Sequence, residues 1–114
     1  MNKKVIVNFK NPLLKNSFDD LSEDDPLKKR IRRAIEGIKQ NPLGYGRPIS
    51  KNKIPDIYFK EGFDNAFWVD LSKSWRLIYS LTSIGEVEIL AVILEWFTSH
   101  KDYERRFKYL IEIT

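Results

Sequence analysis

Arg76, His100 and Tyr103 are the residues whose types and positions best suit chemistry on a charged substrate. Arg76 lies in the run Trp75-Arg76-Leu77-Ile78-Tyr79-Ser80-Leu81, where Trp75, Leu77, Tyr79 and Leu81 take one face of a strand and Arg76 the opposite one. A guanidinium held mid-strand can grip phosphate oxygens through paired N–H bonds. The plainer role is an ion pair with Asp70 across a hairpin. His100 is the single histidine, and its ordinary pKa lies close enough to neutrality for it to act as general acid or base. Helix capping or a buried hydrogen bond at a strand-to-helix junction is the structural alternative. Tyr103 follows three residues later, on the same side of a helix. Its hydroxyl can join a proton transfer, or its ring can fill core. Asp70, Asp102 and Glu104 are candidate carboxylate bases with no feature to choose among them.

The elements that must position these groups follow from hydrophobic patterning. Val5, Val7 and Phe9 alternate as a first strand, ended by Asn11-Pro12. Asp25-Pro26 is a helix start, because Asp can cap free amides and Pro suits the first helical position. Leu27, Ile31, Ala34, Ile35 and Ile38 then form one apolar stripe, with Lys28, Lys29, Arg32 and Arg33 largely outside it. Asn41-Pro42 stops the helix, and Leu43-Gly44-Tyr45-Gly46-Arg47-Pro48 is loop by composition. Phe67–Leu71 and Trp75–Leu81 read as strands, and a turn at Ser83-Ile84-Gly85-Glu86 leads to Val87–Trp96. That last run is apolar on both faces, as a central covered strand would be. His100–Lys108 reads as a short helix and Tyr109–Ile113 as a small edge strand. The order predicts one α+β domain over residues 1–114.

Composition narrows the function classes. A chain of 114 residues makes a single core the default. The absence of cysteine excludes a disulfide scaffold, a thiolate nucleophile and the usual structural zinc sites, and one histidine excludes a multi-histidine metal centre. No metal or cofactor is therefore expected. No apolar run is long enough for a membrane span, and the N-terminal stretch is too short for a signal peptide, so a cytoplasmic protein is expected. The net charge of +4 is a remainder of opposing blocks. Residues 19–25 are acidic, Lys28–Lys39 is basic, and Lys51, Lys53, Arg105 and Arg106 add further cations. The Lys28–Lys39 cluster reads either as a solvated helix face or as a footprint for phosphate or an acidic partner.

Trp75-Arg76-Leu77-Ile78-Tyr79 resembles the "aromatic or His, Arg, Leu, aliphatic, Tyr" strand of the RelE/ParE superfamily of toxins from toxin–antitoxin modules. His100-Lys101-Asp102-Tyr103 resembles the His-x-x-Tyr segment that follows the last long strand in many members. The Lys53-Ile54-Pro55 turn and the preceding basic helix are consistent with the same superfamily. The similarity runs from about Leu27 to Phe107. It implies a twisted antiparallel β-sheet with helices packed on one face.

The resemblance also implies a function. RelE-type members cut mRNA without a metal, typically at the ribosome, whereas ParE-type members poison DNA gyrase. Both are neutralised by a largely acidic antitoxin. For RNA cleavage the ribose 2′-OH attacks its own phosphate, which requires a base, an acid and cations for the phosphorane. In that scheme Arg76 stabilises the phosphate, His100 moves a proton, and Tyr103 stacks on a base or joins the proton transfer. Lys51 and Lys53 hold the RNA backbone or remain solvated, and one of Arg105 and Arg106 reaches phosphate. Trp68, Trp75 and Trp96 are assigned to core or a partner interface. The chain departs from the pattern in carrying further residues after His100 and Tyr103. Three readings are therefore carried forward: a ribosome-dependent mRNA endoribonuclease toxin, a gyrase poison, and an inactive relative that binds an acidic partner.

Overall fold

Asn11-Pro12 and Asp25-Pro26 punctuate the first third of the chain, and in the computed structural model, which describes residues 4–86 and 88–112 with side chains through Phe107, each opens a helix. Strand β1 (Lys4–Phe9) ends at the first pair. The Asn11 side chain then accepts from the Leu14 amide at 2.8 Å and caps α1 (Pro12–Asp19). This helix was not expected, because Phe18 is its one buried residue and it shows no apolar stripe. Asp25 accepts from the Leu27 amide at 2.9 Å and caps α2 (Pro26–Gln40), which stops at Asn41 as the sequence predicts.

A five-stranded sheet follows from β1, β2 (Arg47–Pro48), β3 (Phe67–Asp70), β4 (Arg76–Ser83) and β5 (Glu88–Phe97), in the spatial order β1-β5-β4-β3-β2. Strands β2 to β5 pair antiparallel, and β1 joins β5 in parallel. The architecture is α+β with a mixed sheet. Gly85 turns the chain between β4 and β5 at φ +103°, a conformation that favours glycine. Tyr79 anchors the loop that leads into β2. Its buried hydroxyl donates to the Pro42 carbonyl at 2.7 Å and accepts from the Gly46 amide at 3.0 Å. A Cβ at Gly46 would come within 2.7 Å of the Tyr79 ring, so the close approach requires glycine.

The sheet is covered on both faces, not on one as the resemblance implies. On the first face Ile31, Ala34 and Ile38 of α2 pack with Phe67, Val69, Leu77, Tyr79, Ala91 and Ile93. Full burial of each of these isoleucines contributes about 1.5–3 kcal/mol. On the second face Ile78, Val92, Leu94 and Phe97 pack with Ile54 and Tyr58. Ile54 directly follows a 3₁₀ turn (Lys51–Lys53), and Tyr58 lies in α3 (Asp56–Lys60). Tyr103 and Phe107 of α4 (His100–Glu112) complete that face. Helix α4 begins at His100 as expected but runs on through residues predicted to form an edge strand at Tyr109–Ile113. With no Gly or Pro to stop it, the helix propagates through a stretch too short for its periodicity to be decisive. Ile113 lies outside the described residues.

Strands β4 and β5 contain a bulge. Ile78 faces Glu95, but the next residue, Tyr79, faces Ile93, so Leu94 is an extra residue on β5. Leu94 and Glu95 consequently both serve the second face, and Phe97 follows on that side while Trp96 packs on the first.

Candidate functional site

Arg47, Trp68, Arg76 and Tyr103 form an alternating row of cations and aromatic rings across the second face. Strand alternation creates most of it. Phe67 and Val69 enter the first core, so Trp68 must point the other way. Arg47 is the direct register partner of Trp68, and Arg76 is its diagonal neighbour on β4. The Arg47 guanidinium carbon lies 5.2 Å from the Trp68 ring centre, and that of Arg76 lies 4.3 Å from the same ring. Tyr103 closes over Arg76 from α4, with 4.4 Å between the guanidinium carbon and its ring centre. Each such contact contributes about 0.5–2 kcal/mol and, more usefully here, fixes a side chain that would otherwise sweep through solvent.

The Asp70 pairing weighed from sequence is present but loose, at 3.4 Å from Arg76 Nε to Asp70 Oδ1. Among the described residues the terminal guanidinium nitrogens of Arg76 take no hydrogen-bond acceptor. The cation is thus oriented by rings on two sides and neutralised only at its edge.

Trp68 and Tyr103 line an open cleft of about 260 Å³, bounded by Pro48, Ser50, Lys53 and Phe107. Lys53 therefore lines the same cleft as Trp68 and Tyr103, the two rings that hold Arg76, while Arg76 itself is not part of the cleft wall. Lys51 is exposed on the same 3₁₀ turn but is not part of the cleft wall. His100 sits one helical turn from Tyr103, their rings stacked with centres 6.4 Å apart. It is largely solvent-exposed, and its Nε2 lies 2.8 Å from Glu104 Oε1. That contact separates the three candidate carboxylates: Glu104 orients His100, Asp70 meets Arg76, and Asp102 faces Arg105 at 3.6 Å.

Arg106 has a different task from Arg76. Its Nε and Nη2 reach the two oxygens of Glu95 at 2.9 and 3.2 Å, and the Tyr58 hydroxyl donates to the same carboxylate. Burial pushes the Tyr58 hydroxyl well above the ordinary tyrosine range, and the adjacent Glu95 charge adds to the effect. Tyr58 therefore stays a donor. The network ties α3, and α4 whose Tyr103 and Phe107 line the cleft, to β5. Arg105 lies with Phe97, Asp102 and Arg106 in a separate depression.

The basic helix α2 is on the other side of the sheet, so its cations do not join this cleft. Lys28 departs from the expected solvated face and is buried. Its Nζ donates to the Asp19 and Leu21 carbonyls at 3.2 and 3.0 Å and lies 3.0 Å from Glu23. Arg32 also pairs with Glu23, at 2.6 Å, and Arg30 donates to the Leu71 carbonyl at 2.7 Å. Hydrogen bonds from Arg32 and then Lys28 lower the Glu23 pKa to about 2.

Sequence reasoning missed Arg47 and Trp68 as members of the site. The signal was the out-of-phase Trp within Phe67-Trp68-Val69. Trp75 and Trp96 pack against the first core and Trp68 against the second, as expected. No group of three or more His, Cys, Asp and Glu side chains able to hold a metal occurs among the described residues, and no helix there is long and apolar enough to cross a membrane. The chain matches no protein-family model, and neither a curated protein nor a solved structure matches it.

Proposed function

We propose that the protein is a RelE-like toxin, a metal-free endoribonuclease that cuts mRNA at the ribosome and is neutralised by an acidic antitoxin. The observation that carries this reading is the Arg76 guanidinium held between Trp68 and Tyr103 at the edge of a cleft that also presents Lys53. A preoriented cation held by two half-buried rings, at a cleft that carries a second cation, suits a phosphodiester flanked by unpaired bases.

In this reading Arg76 and Lys53 bind the scissile phosphate and stabilise the phosphorane as charge develops. The 2′-OH attacks, forming the 2′,3′-cyclic phosphate, and the 5′ oxygen leaves. His100, oriented by Glu104, moves a proton at one of these oxygens, and the Tyr103 hydroxyl lies on the same helix face to serve the other. Arg106 acts through Glu95, away from phosphate.

The test is induction of wild type and Arg76→Ala side by side, with mRNA cleavage mapped in cells and with purified ribosomes in chelator. The expected result is growth arrest and cleavage by wild type alone. Equal cleavage by the variant removes Arg76 from the mechanism. Intact mRNA together with blocked DNA supercoiling replaces the ribonuclease with a gyrase poison.

A further inference from the structure

We infer that Trp68 is a stacking platform for one unpaired nucleobase of a single-stranded RNA, and that Arg47 covers it until the base arrives. This deepens the ribonuclease reading and rests on it.

The two arginines that touch Trp68 are held very differently. Arg76 is three-quarters buried and is fixed by Asp70 on its edge and by Tyr103 in addition to Trp68. Arg47 is exposed, lies farther from the indole at 5.2 Å, and makes no ion pair or hydrogen bond through its side chain among the described residues. A base stacked on an aromatic ring gains more than a single exposed cation–π contact, so a nucleobase can displace Arg47 but not Arg76. The released guanidinium stays within reach of the phosphate attached to that base.

The cleft fits one nucleotide and disfavours a duplex. Its volume of about 260 Å³ falls just below the roughly 300–1,000 Å³ typical of pockets for larger ligands. Pairing and stacking in an A-form helix hide the ring faces that Trp68 would bind. The edge of the sheet keeps the cleft open. Strand β2 has only two residues, and Pro48 offers no amide, so a further strand is poorly placed to extend the sheet over the indole. The rim supplies the Ser50 hydroxyl and the Lys53 ammonium as donors to the edge of a seated base.

Binding of a short 2′-O-methyl single-stranded RNA, which lacks the attacking hydroxyl, isolates recognition from cleavage. Fluorescence anisotropy would compare wild type, Trp68→Phe, Trp68→Leu and Arg47→Ala, using the same oligonucleotide with one abasic position moved along it. Trp68→Leu is expected to weaken binding about tenfold or more, with most affinity retained by Trp68→Phe. One abasic position should weaken wild type to a similar extent and have no further effect on Trp68→Leu. Arg47→Ala should lower the salt dependence by about one phosphate contact. The abasic scan uses wild type alone, so it stands whether or not the leucine variant folds. Binding insensitive to every abasic position overturns the stacking role and leaves Arg76-dependent cleavage untouched. Failure to bind any single strand also overturns the stacking role, whereas the ribonuclease reading falls only if mRNA stays intact with ribosomes present.

Discussion

On the α2 side of the sheet, long basic side chains are consumed by the fold. Lys28 closes the end of α1 through two carbonyls and Glu23, Arg30 holds the Leu71 carbonyl, and Arg32 shares Glu23. On the α4 side, Arg47, Lys53 and Arg76 are organised by aromatic rings or face an open cleft. A cation satisfied by carbonyls and carboxylates has its donors spent. A cation held by π-faces keeps its N–H groups for an anion. The density of Lys and Arg along the sequence therefore marks a face where several of these donors are already engaged, and the aromatic neighbours mark one where donors are left over.

The contrast can be broken most directly at Arg76. Arg76→Ala should lower RNA cleavage by about a hundredfold or more in a single-turnover assay, with the fold retained by circular dichroism. Next in size is Glu95→Ala, which strands the buried Tyr58 hydroxyl and releases Arg106. Chemical denaturation should report a loss of about 3 kcal/mol, and cleavage should fall because α4 and its Tyr103 lose their anchor. Lys28→Ala should cost about 2 kcal/mol of stability by opening the α1 terminus, yet leave the cleavage rate of the folded protein unchanged. That separation of stability from activity is what opposite faces require.

Alkaline titration gives a further test. Burial raises the Tyr58 and Tyr79 hydroxyls above their ordinary value of 10.0 in the folded state, so their contribution to stability is complete below that pH and is lost as pH rises above it. Phenolate absorbance should show Tyr58 ionising only with unfolding and Tyr79 ionising above the ordinary tyrosine range. The smallest effect belongs to Lys29→Ala with Arg33→Ala, on the exposed surface of α2. Stability should change by no more than about 0.5 kcal/mol and RNA cleavage should be unaffected. A large loss of cleavage would return the basic helix to the functional surface.

Much of the fold is legible in the chain. The Asp25-Pro26 start, the Asn41 stop and the Leu27–Ile38 stripe are local signals, and the structure contains them as read. The alternation around Arg76 gives its face correctly. Helix α1 escaped because one buried Phe leaves no periodicity, and the end of α4 escaped because five apolar-rich residues fit two periods equally well. For the site, the chain yields Arg76, Tyr103 and Lys53 but not their company. Arg47 is brought to Trp68 by a Tyr79 hydrogen bond to a loop more than thirty residues away, a pairing that spacing alone cannot reveal. The burial of Lys28 likewise depends on α1, the helix that patterning misses.

The extra residue at Leu94 gives β5 a change of parity. Before it, odd-numbered side chains such as Ala91 and Ile93 serve the α2 core. After it, the odd-numbered Glu95 and Phe97 serve α4. If β5 kept Leu94 but alternated strictly, without the bulge, Glu95 would turn into the α2 core and Trp96 towards Tyr103. The strand thus works as a frame-shifted message whose second half is read on the other side, and the cleft exists only in that frame.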